Sequence, residues 1–291
     1  MQAPVWTLKE AAAFLRLSQR ALYDLARARR LPAALVGGKW LFPTDALRGW
    51  LARQADAGGR PIPPPILAGS HDPLLDWAVR QSGCGLALRA GGSLDGLDGL
   101  VDGSAMVAAL HLRDAEGAGF NEAAVRAALP GAGLVGLTWA WREQGLIVPP
   151  GNPRRLATVA DLARLGLRVI GRQPRAGSHV LLIGLLSDAG VALRDIAFLP
   201  QPALAEDEVA AAVLTGVADA GFGIRAEALR LGLGFIPVIH ERFDLVMQRR
   251  DAFEPAMQRL LRFTREAPFA ARAAGMGGYD VSETGAVAFN L

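Results

Sequence analysis

RVIGRQPRAGSHVLLIGLLSD, residues 168–188, reads as a strand that feeds a helix through a glycine-bearing loop. Val169 and Ile170 form a β-like apolar pair. Gly171, Pro174 and Gly177 interrupt the chain, and an apolar helical run begins near Ser178 and ends near Leu186. The first turn of a helix leaves backbone N–H groups without partners, and the helix dipole adds partial positive charge there. A small anion or a ligand carboxylate suits such a place. The stretch is expected to form one wall of a ligand clamp.

The same strand–loop–helix unit recurs upstream. Ile66–Gly69 reads as a strand, Ser70-His71-Asp72-Pro73 as a turn and helix start with Pro73 fit for the first helical position, and 74–79 as amphipathic. Leu86–Leu88, Gly91-Gly92-Ser93 and Leu94–Asp102 repeat the pattern, and Ala105–Leu110 reads as a further strand ending at His111. Downstream lie the extended run from Leu134 through Val148, a helix over Thr158–Leu165, and strands at Ile196–Leu199, Ala218–Gly221, Gly234–His240 and Phe243–Gln248. Helices are expected at Glu206–Thr215, Ala226–Leu231, Glu254–Arg265 and Pro268–Ala274. Alternating strands and helices imply an α/β fold with a mainly parallel sheet.

The first fifty residues read differently. Thr7-Leu8-Lys9-Glu10 is a capping-box pattern, followed by apolar positions at helical spacing. Ser18 caps a second helix, Gln19 to about Arg29, which Pro32 ends. Gly37-Gly38 joins two short extended runs, a two-residue hairpin signal, and Thr44 opens a third helix that ends near Arg53. Residues 1–60 hold ten Lys/Arg against four acidic residues, a local charge of +6 in a chain of net charge +3. A basic head on a slightly acidic body points to a polyanionic partner for the head alone. Residues 54–65 are Gly/Pro-rich and read as a linker.

In this order of parts, WTLKEAAAFLRLSQRALYDLARARRLPAALVGGKWLFPTDALRGWL resembles the excisionase-type winged helix-turn-helix, a relative of the MerR head. The resemblance implies that residues 1–53 bind double-stranded operator DNA. Ser18, Gln19, Arg20 and Tyr23 would face base edges from the recognition helix, where arginine matches guanine and glutamine adenine. Arg27 and Lys39 would meet phosphate, although any one arginine of this helix also reads as part of a solvated face. A head this small implies a homodimer or higher homo-oligomer.

The body resembles the periplasmic-binding-protein-like (PBP-like) ligand-binding domain found fused to DNA-binding heads and to molybdopterin-biosynthesis proteins. The resemblance rests on AGSHDPLLD at 68–76, GSLDGL at 92–97, HL at 111–112 and REQGLIVPPGNP at 142–153. It continues through RQ at 172–173, VADAGFGI at 217–224, FIPV at 235–238, ERFDLV at 241–246 and GGYDVSETG at 277–285. It implies two α/β lobes, 66–142 with 239–291 and 143–238, closing on a ligand. Related domains hold oxyanions such as molybdate or tungstate on hydroxyls and helix-start N–H groups. The implied ligand residues are Ser70, His71, Gly92, Ser93, His111, Arg142, Arg172, Gln173, Arg175, Gly177, Ser178 and Asp219. Each serine alone also reads as an ordinary helix cap. His71 and His111 read equally as structural, and Arg175 as solvent-facing. One departure stands out: where the family has an N-R-Q-x-G-S-G-T-R-like stretch, this chain has GRQPRAGSH at 171–179.

Enzyme chemistry finds little footing. The four histidines lack helix-borne metal spacing, no G-x-S-x-G or P-loop is present, and Gly221-x-Gly223 lacks the rest of a dinucleotide fingerprint. Asp114 and Glu116 read as loop charges. No cofactor is implied beyond a bound effector. No apolar run is long enough for a membrane span, and no secretory signal is visible. Cys84, the single cysteine, fits a reducing compartment, so the cytoplasm is expected. The expectation is a ligand-responsive transcription regulator. The alternatives are a transport-associated binding protein and an accessory protein of molybdenum-cofactor metabolism.

Overall fold

The computed structural model describes residues 5–57, 63–114, 119–164 and 166–291, and for 52–57 the backbone alone. Residues 58–62 of the expected linker, with Glu116 and Leu165, lie outside the described residues. The chain divides into two compact units, Met1–Ile62 and Pro63–Leu291.

The first unit runs β1 (Val5–Thr7), α1 (Leu8–Leu15), α2 (Gln19–Arg27), β2 (Ala34–Val36), β3 (Lys39–Pro43) and α3 (Thr44–Ala57). The capping box at α1 is present. Thr7 Oγ1 accepts from Glu10 N, and Glu10 Oε2 accepts from Thr7 N at 2.8 Å. The tight turn between α1 and α2 is made by Arg16 in the left-handed region (φ 53°). Gly37 and Gly38 take φ +56° and +77°, the twist that a two-residue hairpin requires and that side chains resist. Ala11, Leu22, Ala26, Leu31, Phe42 and Leu47 form the core. The strand β1, which sequence did not suggest, pairs antiparallel with β3 and completes a three-stranded wing. The unit is a winged helix-turn-helix.

The second unit runs β4 (Ile66–Gly69), α4 (Pro73–Ser82), β5 (Ala87–Ala90), α5 (Ser93–Asp102), β6 (Val107–Leu110), α6 (Glu122–Ala128) and β7 (Leu134–Val148). It continues with β8 (Val169–Ile170), α7 (Gly177–Asp188), α8 (Glu206–Leu214), β9 (Ala220–Ile224), α9 (Arg225–Arg230) and β10 (Gly234–Gln248). The chain then returns through α10 (Pro255–Phe263), α11 (Ala267–Met276), β11 (Tyr279–Asp280) and β12 (Val287–Asn290). The sheet order is β5-β4-β6-β10-β7-β9-β8, with β11 and β12 also on β7.

Four expectations need correction. The sheet is mixed rather than mainly parallel: β5-β4-β6 and β8-β9 are parallel, but β6-β10-β7-β9 is antiparallel. The cause is that β7 and β10 are single 15-residue strands paired along their whole length. The sequence reads as two strands broken at His240–Arg242, because a polar cluster inside an apolar run looks like a turn, but β10 runs through it. Ile196–Leu199 is not a strand beyond one bridge, Val169 to Phe198, and Val159–Ala163 is a 3₁₀ turn rather than an α-helix.

At about 3.3 Å per residue, β7 and β10 are each long enough to serve two lobes. Their outer halves sit in different cores. Trp139, Ala140, Phe243 and Leu245 pack with Leu67, Leu74, Met257 and Phe269. Leu146 and Val148 pack with Leu162, Leu181, Leu186 and Phe222. Between the cores the strands carry Trp141–Gly145 and His240–Arg242, with Glu241 opposite Arg142 in register. These residues form the crossover of a two-lobed, periplasmic-binding-protein-like α/β domain.

Candidate ligand site at the interlobe seam

Lobe one brings two strand–loop–helix junctions to the seam. Gly69 ends β4 at φ +119°, and an added Cβ there would lie 2.4 Å from the Ala109 carbonyl oxygen, so only glycine lets the chain turn over β6. This turn delivers Ser70, whose hydroxyl lies 2.7 Å from that of Ser93 at the start of α5. Ser93 Oγ also accepts from the His111 backbone N–H at 3.2 Å. Both serines and His111 are buried. A pocket of about 130 Å³, lined in part by Ser70, His71 and Asp72, opens beside them at the ends of β4 and β5.

Lobe two meets these groups with the start of α7. A Cβ on Gly177 would lie 2.5 Å from Ser93 Oγ and 2.6 Å from His111 Nε2, and one on Gly92 would lie 2.1 Å from the Arg175 carbonyl oxygen. The lobes therefore touch through two glycines. Leu94 N–H donates across the seam to the Arg175 carbonyl (3.3 Å), and Gln173 Nε2 donates to the Gly91 carbonyl (2.9 Å). Ser178 Oγ donates to Glu206 Oε1 at 3.3 Å.

Behind the seam, the crossover holds a buried ionic cluster. Arg142 donates through Nη1 to Asp72 Oδ2 (2.9 Å) and through Nε to Glu241 Oε1 (3.0 Å), with a further Nη2 contact to the same oxygen. Glu241 Oε2 meets His111 Nδ1 at 2.7 Å, and Gln144 Nε2 donates to Glu241 Oε1 at 2.7 Å. Asp72 also accepts from Leu75 N–H, Trp139 Nε1 and the Tyr279 hydroxyl. Burial alone would raise the Glu241 carboxyl. His111, Arg142 and the hydrogen bonds from His111 and Gln144 more than reverse this and bring it to about 2. Tyr279 is held well above its ordinary value by burial and by the neighbouring Asp72 charge, so it stays a donor.

This geometry sorts the expected ligand residues. Ser70, Gly92, Ser93, His111, Gln173, Gly177 and Ser178 converge at the seam, with His71 beside them, half-buried and its Nδ1 without a partner. Arg142 is not free for a ligand, because Asp72 and Glu241 occupy its guanidinium. Arg172 is spent on Glu206 (2.8 Å) and the Leu204 carbonyl. Arg175 neither faces solvent alone nor points at a ligand: it bridges Asp95 and Asp98 of the opposite lobe. Asp219 lies at the far end of its strand, accepting from Arg168 and Arg154. Asp72, Gln144, Glu206 and Glu241 were missed as site residues. Arg142, Gln144 and the facing Glu241 carry a signal, as polar clusters (142–144 and 240–242) inside otherwise largely apolar strands. Glu206 carries none, since it looks like any first-turn acid.

In the head, Gln19, Arg20, Tyr23 and Arg27 are exposed on α2 while Leu22 and Ala26 are buried, and Tyr23 is 43% exposed. Lys39 is exposed at the wing. The Ser18 hydroxyl caps α2 by accepting from Ala21 N–H at 3.2 Å. Arg48 lies over the rings of Trp6 and Phe14. Among the described residues no group of three or more His, Cys, Asp or Glu is placed to hold a metal, and no helix is long and apolar enough to cross a membrane.

Residues 76–265 match the PBP superfamily domain and residues 7–55 a helix-turn-helix domain. The uncharacterized protein YvgK of Bacillus subtilis (strain 168) is 26% identical over 303 residues, covering 97% of each chain. Among solved structures, the sulfate-binding protein SubI of Mycobacterium tuberculosis H37Rv matches with TM-score 0.52 at 17% identity, over 74% of this chain and 85% of that one. The regulatory domain of MetR, a LysR family regulator from N. meningitidis, matches with TM-score 0.50 at 14% identity, over 74% and 96%. At these identities the two structures speak to the fold alone.

Proposed function

We propose, since this chain belongs to the PBP superfamily and carries a helix-turn-helix domain at its start, that it is a ligand-responsive transcription regulator. The head would bind double-stranded operator DNA, and the seam would bind a small anion, either an oxyanion of the molybdate or tungstate kind or a small organic anion. The observation that carries this reading is the meeting of the α5 and α7 starts across the seam through Gly92 and Gly177. Converging helix starts supply N–H donors and partial positive charge without full cations. In this reading Ser70, Ser93, Gly177 and Ser178 touch the ligand, and no catalytic step is required. Occupancy would change how far the lobes close, and so the spacing or affinity of the heads of a cytoplasmic homodimer on two half-sites.

A mobility shift with the DNA upstream of the protein's own gene, with and without oxyanions and organic anions, tests the reading. Replacing Arg20 relaxes base preference, whereas replacing Lys39 weakens binding about uniformly and lowers the salt slope by about one. Failure to bind that DNA at low salt rejects it.

A further inference from the structure

The buried groups behind the seam include acceptors that a fully charged oxyanion cannot satisfy. Asp72, Glu241 and Glu206 are set against Arg142, Arg172 and the His111 ring, and all six side chains are buried. Three polar atoms of this cluster lack a hydrogen-bond partner, the donor Arg172 Nη1 and the acceptors Glu206 Oε2 and Gln144 Oε1, so it asks for an anionic acceptor and a donor together. Glu206 is 2% exposed, and its Oε1 takes Ser178 and approaches Arg172, while Oε2 has no hydrogen-bond partner. Gln144 is 0% exposed. Its amide is oriented by donating Nε2 to Glu241, which leaves Oε1 as an acceptor with nothing to accept. A buried acceptor without a partner is costly, and a charged one more so. Sulfate or molybdate has only acceptors and would add negative charge beside both. A ligand that brings its own N–H or O–H would satisfy them.

We propose that the ligand of this seam is a small anion that also carries a hydrogen-bond donor, and that Glu206 and Gln144 select for the donor while the α5 and α7 starts take the anionic end. A hydroxy acid, an amino acid and hydrogen phosphate share this chemistry. The proposal rests on the reading of the seam as the ligand site and narrows it. Sites built on a specific hydrogen bond reject analogues that lack the matching group, because their own buried polar groups are then left unpaired.

The test is calorimetric titration of the full-length protein with matched pairs: hydrogen phosphate against sulfate and molybdate, glycolate and glycine against acetate, malate against succinate. The donor-bearing member of at least one pair should bind tenfold or more tighter, and Glu206→Gln should shrink that preference to a few-fold. The wild-type comparison needs no variant, so poor folding of Glu206→Gln leaves the test intact. If in every pair that binds the acceptor-only member binds within tenfold of its donor-bearing counterpart, the donor proposal is overturned while the seam remains a ligand site. Binding that survives unchanged when Gly177→Ala props the seam open overturns the seam reading itself. Absence of binding across the whole panel overturns both.

Discussion

Gly177→Ala isolates closure from folding. Its Cβ would arrive 2.5 Å from Ser93 Oγ and 2.6 Å from His111 Nε2, so the opposing surfaces must part by about 1 Å to restore ordinary contact. Neither neighbour can yield alone. Ser93 Oγ is tied to Ser70 Oγ and the His111 N–H, and the His111 ring is held by Glu241 and stacked on Phe243. Overpacking of this kind costs about 1–3 kcal/mol. Because the clash is between lobes, the cost falls on the closed state rather than on either core, and the closed-to-open ratio should drop about 5- to 150-fold. The readout is hydrogen exchange at the Leu94 amide, whose N–H donates across the seam to Arg175. Its exchange should accelerate by that factor while amides of the lobe cores, such as Leu245, hold. Gly184→Ala in the same helix is the control. Nothing lies within 4 Å of its Cβ, so it should stabilise by up to about 1 kcal/mol and leave Leu94 unchanged. Unchanged Leu94 exchange in Gly177→Ala, or acceleration shared by the core amides, refutes the assignment of this contact to closure.

Three further outcomes follow from the charges. Glu241→Gln removes one of the two buried carboxylates on Arg142 and should cost about 3–5 kcal/mol in urea unfolding. Since the folded carboxyl sits at about 2, below its unfolded value, the gap to wild type should be full above about pH 4.5 and shrink as pH falls toward 2. Asp244 is pushed the other way, to about 6, by burial that Asn121 and Arg242 only partly offset. Its folded value lies above its unfolded one, so it favours folding below about pH 4 and loses that advantage as pH rises through 6. Wild type should therefore lose up to about 3 kcal/mol against Asp244→Asn as pH rises from about 4 to 6, with the gap constant above that, as urea unfolding at a series of pH values would show. Arg175→Ala breaks exposed bridges to Asp95 and Asp98 and should leave melting nearly unchanged, while Leu94 exchange quickens a few-fold at low salt and less at high salt.

What sequence conveyed and what it withheld divide along a physical line. Local signals survive folding unchanged. The Thr7–Glu10 box, Gly37-Gly38 and Pro73 at the start of α4 act within four residues, and each appears where local chemistry puts it. The helix starts at Ser93 and Gly177 were legible for the same reason. The roles of charged side chains were not, because a charge is assigned by whatever the fold sets opposite it. Arg142 and Glu241 are 99 positions apart and become cross-strand partners only through the full pairing of β7 and β10. Arg175 reads in sequence as an added ligand cation, yet the fold sets Asp95 and Asp98 against it across the seam. The same limit explains the split of β10: a run such as His240-Glu241-Arg242 breaks a strand when read alone, yet it is required where two long strands pass between cores. At that point Glu241 faces inward to Arg142, and His240 and Arg242 face the other side with Glu143 and Trp141. Slipping β10 by one residue against β7 would put Glu241 on the outer face and leave Arg142 with Asp72 alone. The crossover thus fixes the register of the two lobes with the same ion pairs that remove Arg142 from the ligand, and recognition is left to hydroxyls, helix starts and the two open acceptors.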